Sequence, residues 1–266
     1  MTEKRYKGIV LFDVDGTLVD EREKIFKPTA ATYAAVEKLK ENGYLTGLAT
    51  GRAKCYVPNL GIDFDCYVTS NGAVAEVFGE VVFDDCIDPE RLRSVVDYLE
   101  KNNIAYNAEN HDACYFGEKR YPLLAEMLKK FCISSDAFRP YDRTEDIRAN
   151  KLIAVFDREE QFSRMQRDLS GDFTVTRHHR NNSADIDKHG MNKAVGMSAL
   201  AERLGIDVSD VYAFGDDVND LDMLKAAGCG IAMTPHAEEL EAAADMFTSG
   251  VAEDGVAKAL TKLGLI

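Results

Sequence analysis

The sequence has no C-x-x-C pair, no G-x-x-x-x-G-K-[ST], no G-x-G-x-x-G, and no apolar run long enough for a signal core or a membrane span. Its six cysteines, Cys55, Cys66, Cys86, Cys114, Cys132 and Cys229, are scattered. They fit neither a zinc cluster nor a thioredoxin-like motif, and they read as reduced core residues of a chain that needs no disulfide framework. The missing apolar run predicts a soluble, cytoplasmic protein with no membrane partner. The missing glycine-rich fingerprints leave P-loop or dinucleotide binding unsupported. Positive charge is also scarce: 32 Lys and Arg stand against 46 Asp and Glu, a formal net charge of −14. That balance disfavours binding to nucleic-acid phosphates and suits a cation-dependent site. No internal repeat, low-complexity segment or Pro/Gly-rich linker divides the 266 residues, a length with room for one large or two ordinary domains.

The chain is organised around Gly8-Ile9-Val10-Leu11-Phe12-Asp13-Val14-Asp15-Gly16-Thr17. Gly8 to Phe12 is short, β-branched and without polar alternation, the pattern of a parallel strand covered on both faces. In open α/β sheets ligands bind beyond the carboxyl ends of such strands, where this one delivers Asp13 and Asp15. Unpaired carboxylates in a crevice carry a desolvation cost that a metal cation would relieve. Gly16 allows a tight turn, and the Thr17 hydroxyl is expected to orient a neighbouring carboxylate. The competing reading is a strand that ends in a solvated Asp turn.

A helix bracketed by Pro28 and Gly43 leads to a second strand, 44–49, which runs into Thr50-Gly51-Arg52 with a helical stretch expected just after. Thr50 and the free amides of a helix start would suit an anion, although Thr is equally an ordinary N-cap. A third strand, 66–69, ends in Ser70-Asn71-Gly72, and a hairpin follows to Phe83. From Asp84 the βα pattern gives way to helices expected at 89–101, 121–131 and 159–169 and strands at 104–106, 113–116, 152–156 and 173–177. These make an open-faced α/β insert. Regular βα units return near Gly190. Lys193 lies in the first turn of the next helix, where a cation opposes the helix dipole, so either an anionic neighbour or simple solvation explains it. Val211 to Phe214 is another buried strand, followed by Gly215-Asp216-Asp217-Val218-Asn219-Asp220. An EF-hand is set aside there because the later Gly, the distal Glu and the two flanking helices are missing.

Taken as an ordered set, Asp13-x-Asp15-Gly-Thr17, Thr50-Gly51-Arg52, Lys193 and Gly215-Asp216-Asp217-x-Asn219-Asp220 resemble the haloacid dehalogenase superfamily. The insert between the Thr50 and Lys193 motifs, with Ser70-Asn71-Gly72-Ala73, is similar to its Cof-type (subclass IIB) phosphatases. The resemblance implies a doubly wound parallel-sheet, Rossmann-like core over residues 1–83 and 187–266, with an α/β cap at 84–186 that acts as lid and specificity module. It further implies Asp13 as nucleophile and Asp15 as general acid, then general base. Mg2+ would be held by Asp13, the main-chain carbonyl of Asp15 and Asp216, with Asp220 contributing through water or from behind. Thr50, Gly51, Arg52, Asn71, Lys193 and Asn219 would bind phosphate or substrate; Arg52 could equally be a surface cation and Asp217 a solvated carboxylate.

The implied activity is hydrolysis of a small phosphorylated metabolite, such as a sugar phosphate, through an aspartyl-phosphate. Asp at position 15 is the hydrolytic choice, since the family's ion pumps carry Thr there and its dehalogenases lack the second Asp. A phosphomutase and a magnesium-dependent phospholigand-binding protein remain as alternatives. In the cap, Arg177-His178-His179-Arg180-Asn181-Asn182 is a donor cluster that either leads back to the core and faces substrate, with His179 and Arg180 as candidate specificity residues, or is a solvated turn joining two strands.

Overall fold

The structure is a computed structural model that describes residues 6–131, 133–178 and 181–266. The chain divides into two compact units, Met1–Gly51 with Asn59–Phe83 and Asn192–Ile266, and Arg52–Pro58 with Asp84–Met191. The first unit breaks off at Phe83, where the insert is expected to begin. Residues 52–58 group with the insert, and the chain returns at Asn192 rather than at 187.

Before the insert, the first unit contributes β1 (Ile9–Phe12), α1 (Ala30–Glu41), β2 (Leu45–Ala49), β3 (Cys66–Thr69), β4 (Val74–Val77) and β5 (Glu80–Asp84). The insert carries α2 (Pro89–Lys101), β6 (Ala105–Glu109), β7 (Cys114–Phe116), α3 (Tyr121–Lys130), β8 (Phe138–Pro140), β9 (Lys151–Val155), α4 (Glu159–Asp168), β10 (Phe173–Arg177) and β11 (Ser183–Lys188). After it come α5 (Lys193–Leu204), β12 (Val211–Gly215), α6 (Leu221–Ala226), β13 (Cys229–Ala232), β14 (Met246–Phe247) and α7 (Gly255–Lys262).

The first sheet has the order β14-β13-β12-β1-β2-β3-β4-β5. It is parallel from β14 to β3, and β4 runs antiparallel to β3. All four β1 residues are fully buried, as a strand covered on both faces requires, and each such apolar side chain contributes about 1.5–3 kcal/mol by leaving water. Side chains alternate along a strand. Ile9 and Leu11 therefore share one cluster with Met197 and Leu200 of α5 and with Met223 and Leu224 of α6. Phe12 turns the other way, its ring centroid 6.4 Å from that of Phe64 and 5.2 Å from that of Phe214. The same parity sends the next odd-numbered side chain, Asp13, toward the α5 and α6 side. Sequence order reverses about β1, with β2 on one side and β12 on the other, so Asp13 leaves the sheet at its switch point.

The helix expected after Thr50-Gly51-Arg52 is absent. One 3-10 turn, Lys54–Tyr56, forms instead, and Val57 is extended at φ −59°, ψ 128°. Pro58 accounts for this, because it has no N–H to donate and disfavours α geometry in the residue before it.

The second sheet has the order β10-β11-β9-β6-β7-β8. It is antiparallel apart from the β7–β8 pair. Asp88 caps α2 by accepting from the Glu90 and Arg91 amides, with Pro89 at the first helical position. Leu92, Val95, Val96 and Leu99 of α2 and Met165 of α4 pack on the face that presents Tyr106, Ala108, Leu152, Ala154, Ala184 and Ile186. Leu124, Met127 and Leu128 of α3 pack with Ala105, Ile153 and Val155, so the other face is partly covered rather than open. Strand β11 is not among the strands that the sequence pattern marks by itself. Its alternation is real, Ala184 and Ile186 on the apolar face, but Ser183, Asp185 and Asp187 are buried on the opposite one and mask the pattern. The donor cluster from Arg177 therefore opens the β10–β11 turn and does not lead directly to the first unit. Among the described residues no helix is long and apolar enough to cross a membrane.

Candidate active site

Four of the expected site residues converge at the carboxyl ends of β1 and β12. The Asp13 amide donates to Phe214 O at 3.0 Å, which fixes its backbone one step past the strand. Lys193 opens α5, is fully buried, and places Nζ 2.6 Å from Asp13 Oδ1 and 2.6 Å from Asp220 Oδ1. The anionic neighbour that its position in a first turn calls for is thus present twice. Asn192, which sequence reasoning passed over, is the N-cap of α5: its Oδ1 accepts from the Ala194 and Val195 amides at 3.0 and 3.3 Å and sets the first turn where Lys193 can reach inward. Asn is a favoured N-cap residue, so the signal was there to find.

Asp220 Oδ2 accepts from the Asp216 and Asp217 amides at 3.0 and 3.2 Å and folds the Gly215–Asp220 loop back on itself. Asp217 caps this turn, its carboxylate accepting from the Val218 amide at 2.8 Å. Asp13, Asp216 and Asp220 each offer a carboxylate oxygen, all within 4.8 Å of one another, and Asp216 Oδ1 is a buried acceptor with no hydrogen-bond partner. Gly16, at φ +95°, admits the Asp216 carboxylate where a Cβ would collide with it.

The electrostatics follow from crowding carboxylates in a desolvated place. Burial raises the Asp13 carboxyl to about 7, against the pull of Lys193 and with repulsion from Asp220 and Asp15 adding to it. Burial, with Asp13, Asp220 and Asp217 nearby, holds the Asp216 carboxyl well above the ordinary range. Burial alone would lower the Lys193 ammonium, but Asp13 and Asp220 hold it raised. Three clustered acids and an orphaned buried oxygen fit a hard divalent cation, which takes oxygen ligands.

A second group lies at the ends of β2 and β3. Thr50 is buried, its amide donates to Val68 O at 2.8 Å, and its carbonyl accepts from the Asn71 amide at 3.2 Å. Asn71 adopts φ 52°, ψ 36°, and its Oδ1 accepts from Asn219 Nδ2 at 3.2 Å. Gly51 packs so tightly here that a Cβ would lie 2.8 Å from Asn71 Oδ1 and 3.5 Å from Asn219 Nδ2. Asn219 thus links this group to the acidic cluster, one residue from Asp220.

The expectations for Asp15 and Thr17 need correction. Asp15 is exposed, so the desolvation argument applies to Asp13 and its other neighbours and not to Asp15. Thr17 Oγ1 is buried without a hydrogen-bond partner and orients no carboxylate. Arg52 falls in the second unit. His179 and Arg180 lie outside the described residues; of their neighbours, Arg177 pairs with Glu159 at 2.6 Å and His178 with Asp185 at 3.0 Å.

The model of the haloacid dehalogenase-like hydrolase family matches residues 10–260. Among curated proteins, YkrA of Bacillus subtilis (strain 168) is 29% identical, over 97% of this chain and 98% of its own length. The 5-amino-6-(5-phospho-D-ribitylamino)uracil phosphatase YitU of the same organism is 27% identical, over 95% of this chain and 96% of its own. Among solved structures, the HAD subclass IIB sugar phosphatase BT4131 superposes with a TM-score of 0.82 at 26% identity, covering 97% of this chain and 100% of that one. The chain belongs to the haloacid dehalogenase-like hydrolase family and is a phosphatase of its Cof-type, subclass IIB branch.

Proposed function

We propose that this phosphatase hydrolyses a small phosphomonoester, a sugar phosphate or a related polyol phosphate, with Mg2+ as cofactor and a covalent aspartyl-phosphate as intermediate. The observation that carries the reading is the buried Asp13, 2.6 Å from the Lys193 ammonium and grouped with Asp216 and Asp220. The sugar phosphatase BT4131 and the ribityl-phosphate enzyme YitU, similar along nearly their whole lengths, support the substrate class.

In this reading an Asp13 oxygen forms a bond to phosphorus while the ester P–O bond breaks, and Asp15 gives its proton to the departing oxygen. Asp15 is exposed and can reach solvent, as a group that next takes a proton from water must. That water attacks phosphorus, the Asp13–phosphorus bond breaks, and phosphate leaves with Asp13 regenerated. Lys193, the Gly51 amide, Thr50, Asn71 and Asn219 hold the phosphoryl oxygens and offset charge that moves during transfer; Arg52 is a further candidate. Asp13, Asp216, Asp220 and the Asp15 carbonyl would hold Mg2+. Bound there, the cation supplies positive charge that keeps Asp13 ionised and shields the phosphoryl oxygens. The inserted unit, residues 84–186 in outline, serves as the module that selects the leaving group.

Phosphate release from a panel of sugar, polyol and aryl phosphates, with Mg2+ and with EDTA, tests the proposal. Release that is untouched by EDTA and by Asp13→Asn would end it.

A further inference from the structure

Cys55 and Cys114 are 59 residues apart in sequence, yet their Sγ atoms stand 3.7 Å from each other. Cys55 lies in the 3-10 turn Lys54–Tyr56 and is half-buried; Cys114 is fully buried in β7. The turn is held against the second sheet on both sides of Cys55. Ala53 and Tyr56 share an apolar cluster with Cys114, Ile133 and Phe138, and Tyr56 donates from its hydroxyl to Glu109 Oε2 at 2.7 Å. Glu109 is in turn the register partner of Cys114 across the β6–β7 ladder. The two thiols are therefore held close before any bond forms, and such positioning turns an encounter into an intramolecular step.

We propose that Cys55 and Cys114 are a redox modification site that closes to a disulfide under hydrogen peroxide and thereby slows turnover. The Cys55 sulfur, the more accessible, attacks peroxide as the thiolate: an S–O bond forms, the O–O bond breaks, and hydroxide leaves, giving Cys55 sulfenic acid. The Cys114 sulfur then attacks the Cys55 sulfur, the S–S bond forms, the S–O bond breaks, and the departing hydroxide takes the Cys114 proton as water. Two thiols lose two electrons in all, and one peroxide becomes two waters. Its hydrogen bond with Cys55 and its burial hold the Cys114 thiol well above the usual range, so Cys55 and not Cys114 is the sulfur that meets peroxide first.

The bond demands movement, because a disulfide S–S distance is about 2.05 Å. Cys114 is fixed between β6 and β8 by ladder bonds. Cys55 sits in a single turn whose closing bonds are long, Tyr56 N to Ala53 O at 3.1 Å and Val57 N to Lys54 O at 3.3 Å. The displacement therefore falls on the segment that follows Thr50 and Gly51 directly in the chain. A small shift transmitted to phosphate-binding groups is enough to cost rate.

The test uses the full chain, reduced or treated with hydrogen peroxide, then alkylated and mapped by mass spectrometry. The expected result is a Cys55–Cys114 linked peptide, two hydrogens lighter than its reduced parts, reversed by dithiothreitol and absent from Cys55→Ser. In the linked chain kcat for an aryl phosphate falls about tenfold, and dithiothreitol restores it. Cys55→Ser, at a half-buried position, keeps the reduced rate under peroxide; Cys114→Ala repeats the control at the buried partner. Sulfinic acid at Cys55 without a link, or a link to another cysteine, overturns the modification site. A fully linked chain with an unchanged rate overturns its coupling to turnover.

Discussion

Asp13 and Lys193, 180 residues apart in sequence, meet at 2.6 Å in the interior of the first unit. The pair is not held for stability. Two opposite charges taken out of water repay their desolvation only when the geometry is good and the remaining partners are satisfied, and here a third charge, Asp220, shares the same ammonium. Acids outnumber bases in the cluster, and the raised Asp13 and Asp216 carboxyls record that imbalance. An arrangement short of positive charge by this much is built to receive some.

Asp13→Asn separates chemistry from folding. The amide keeps the shape of the side chain and removes the proposed nucleophile, so phosphate release should fall by at least about a thousandfold. Stability should hold or rise, since one member of a crowded set of like charges is gone while Lys193 keeps Asp220 as partner. Melting curves at pH 8 beside steady-state assays check both halves, and a variant that is inactive because it is unfolded would not support the assignment.

Lys193→Met is expected to fail differently. Two buried carboxylates lose their only described ammonium partner, and breaking a buried ion pair in this way costs about 3–5 kcal/mol. Divalent cation should recover part of that loss, because it supplies charge to the same carboxylates. Lys193→Arg should not restore the rate, since a planar guanidinium cannot reproduce a point charge 2.6 Å from two oxygens in a packed interior. Denaturant unfolding with and without MgCl2 measures the first effect, and kcat for the Arg variant the second.

How much of this was legible in the sequence depends on how local the cause is. The β1 strand, its double burial and the buried carboxylate that follows it can be read from ten residues, because an apolar run and the residues that stop it are a local pattern. The same holds for the N-cap of α2 at Asp88-Pro89. Lys193 could be flagged as needing an anion, but not which one, since Asp13 and Asp220 reach it through the order of strands about β1. The sequence around Thr50 suits an anion-binding helix start, yet Pro58 stops a helix from forming there. Strand β11 is hard to see in the sequence because both of its faces are buried and one of them is charged, so polarity does not mark exposure. Asp15 was expected to be buried beside Asp13, yet alternation along an extended chain does not continue through the turn that Gly16 creates.

Gly16→Ala probes the proposed cation site without replacing a carboxylate. A Cβ at position 16 would run into the Asp216 side chain, and the φ of +95° is one that L-residues rarely adopt, so backbone strain adds to the clash. Displacing a group that orients a metal site commonly costs about 10- to 100-fold in affinity. The thermal stabilisation by Mg2+, titrated on the variant and the native chain, should shift to higher concentration by that factor; equal midpoints would separate Gly16 from the site.

The pH dependence of stability follows from the sign of the carboxyl shifts. In the cation-free protein Asp13 has a folded-state value of about 7, above its ordinary value, so the folded chain binds a proton more tightly than the unfolded chain does. Stability from this group is complete below about pH 4, where both states are protonated. It is lost as the pH rises toward 7, because ionising Asp13 costs more in the interior than in the unfolded chain. Asp216 is shifted in the same direction and adds to the trend. The cation works the other way, since protons compete with it for the same oxygens. Melting temperature measured in EDTA should therefore decline from pH 5 to pH 8 in this respect, and the rise on adding MgCl2 should be larger at pH 8 than at pH 5. Asp13→Asn should flatten the EDTA curve, because the titrating group is gone. A Mg2+ effect that is equal at both pH values would mean that the carboxyls at the end of β1 and β12 are not where the cation binds, and an EDTA curve unchanged by Asp13→Asn would mean that Asp13 does not carry the trend.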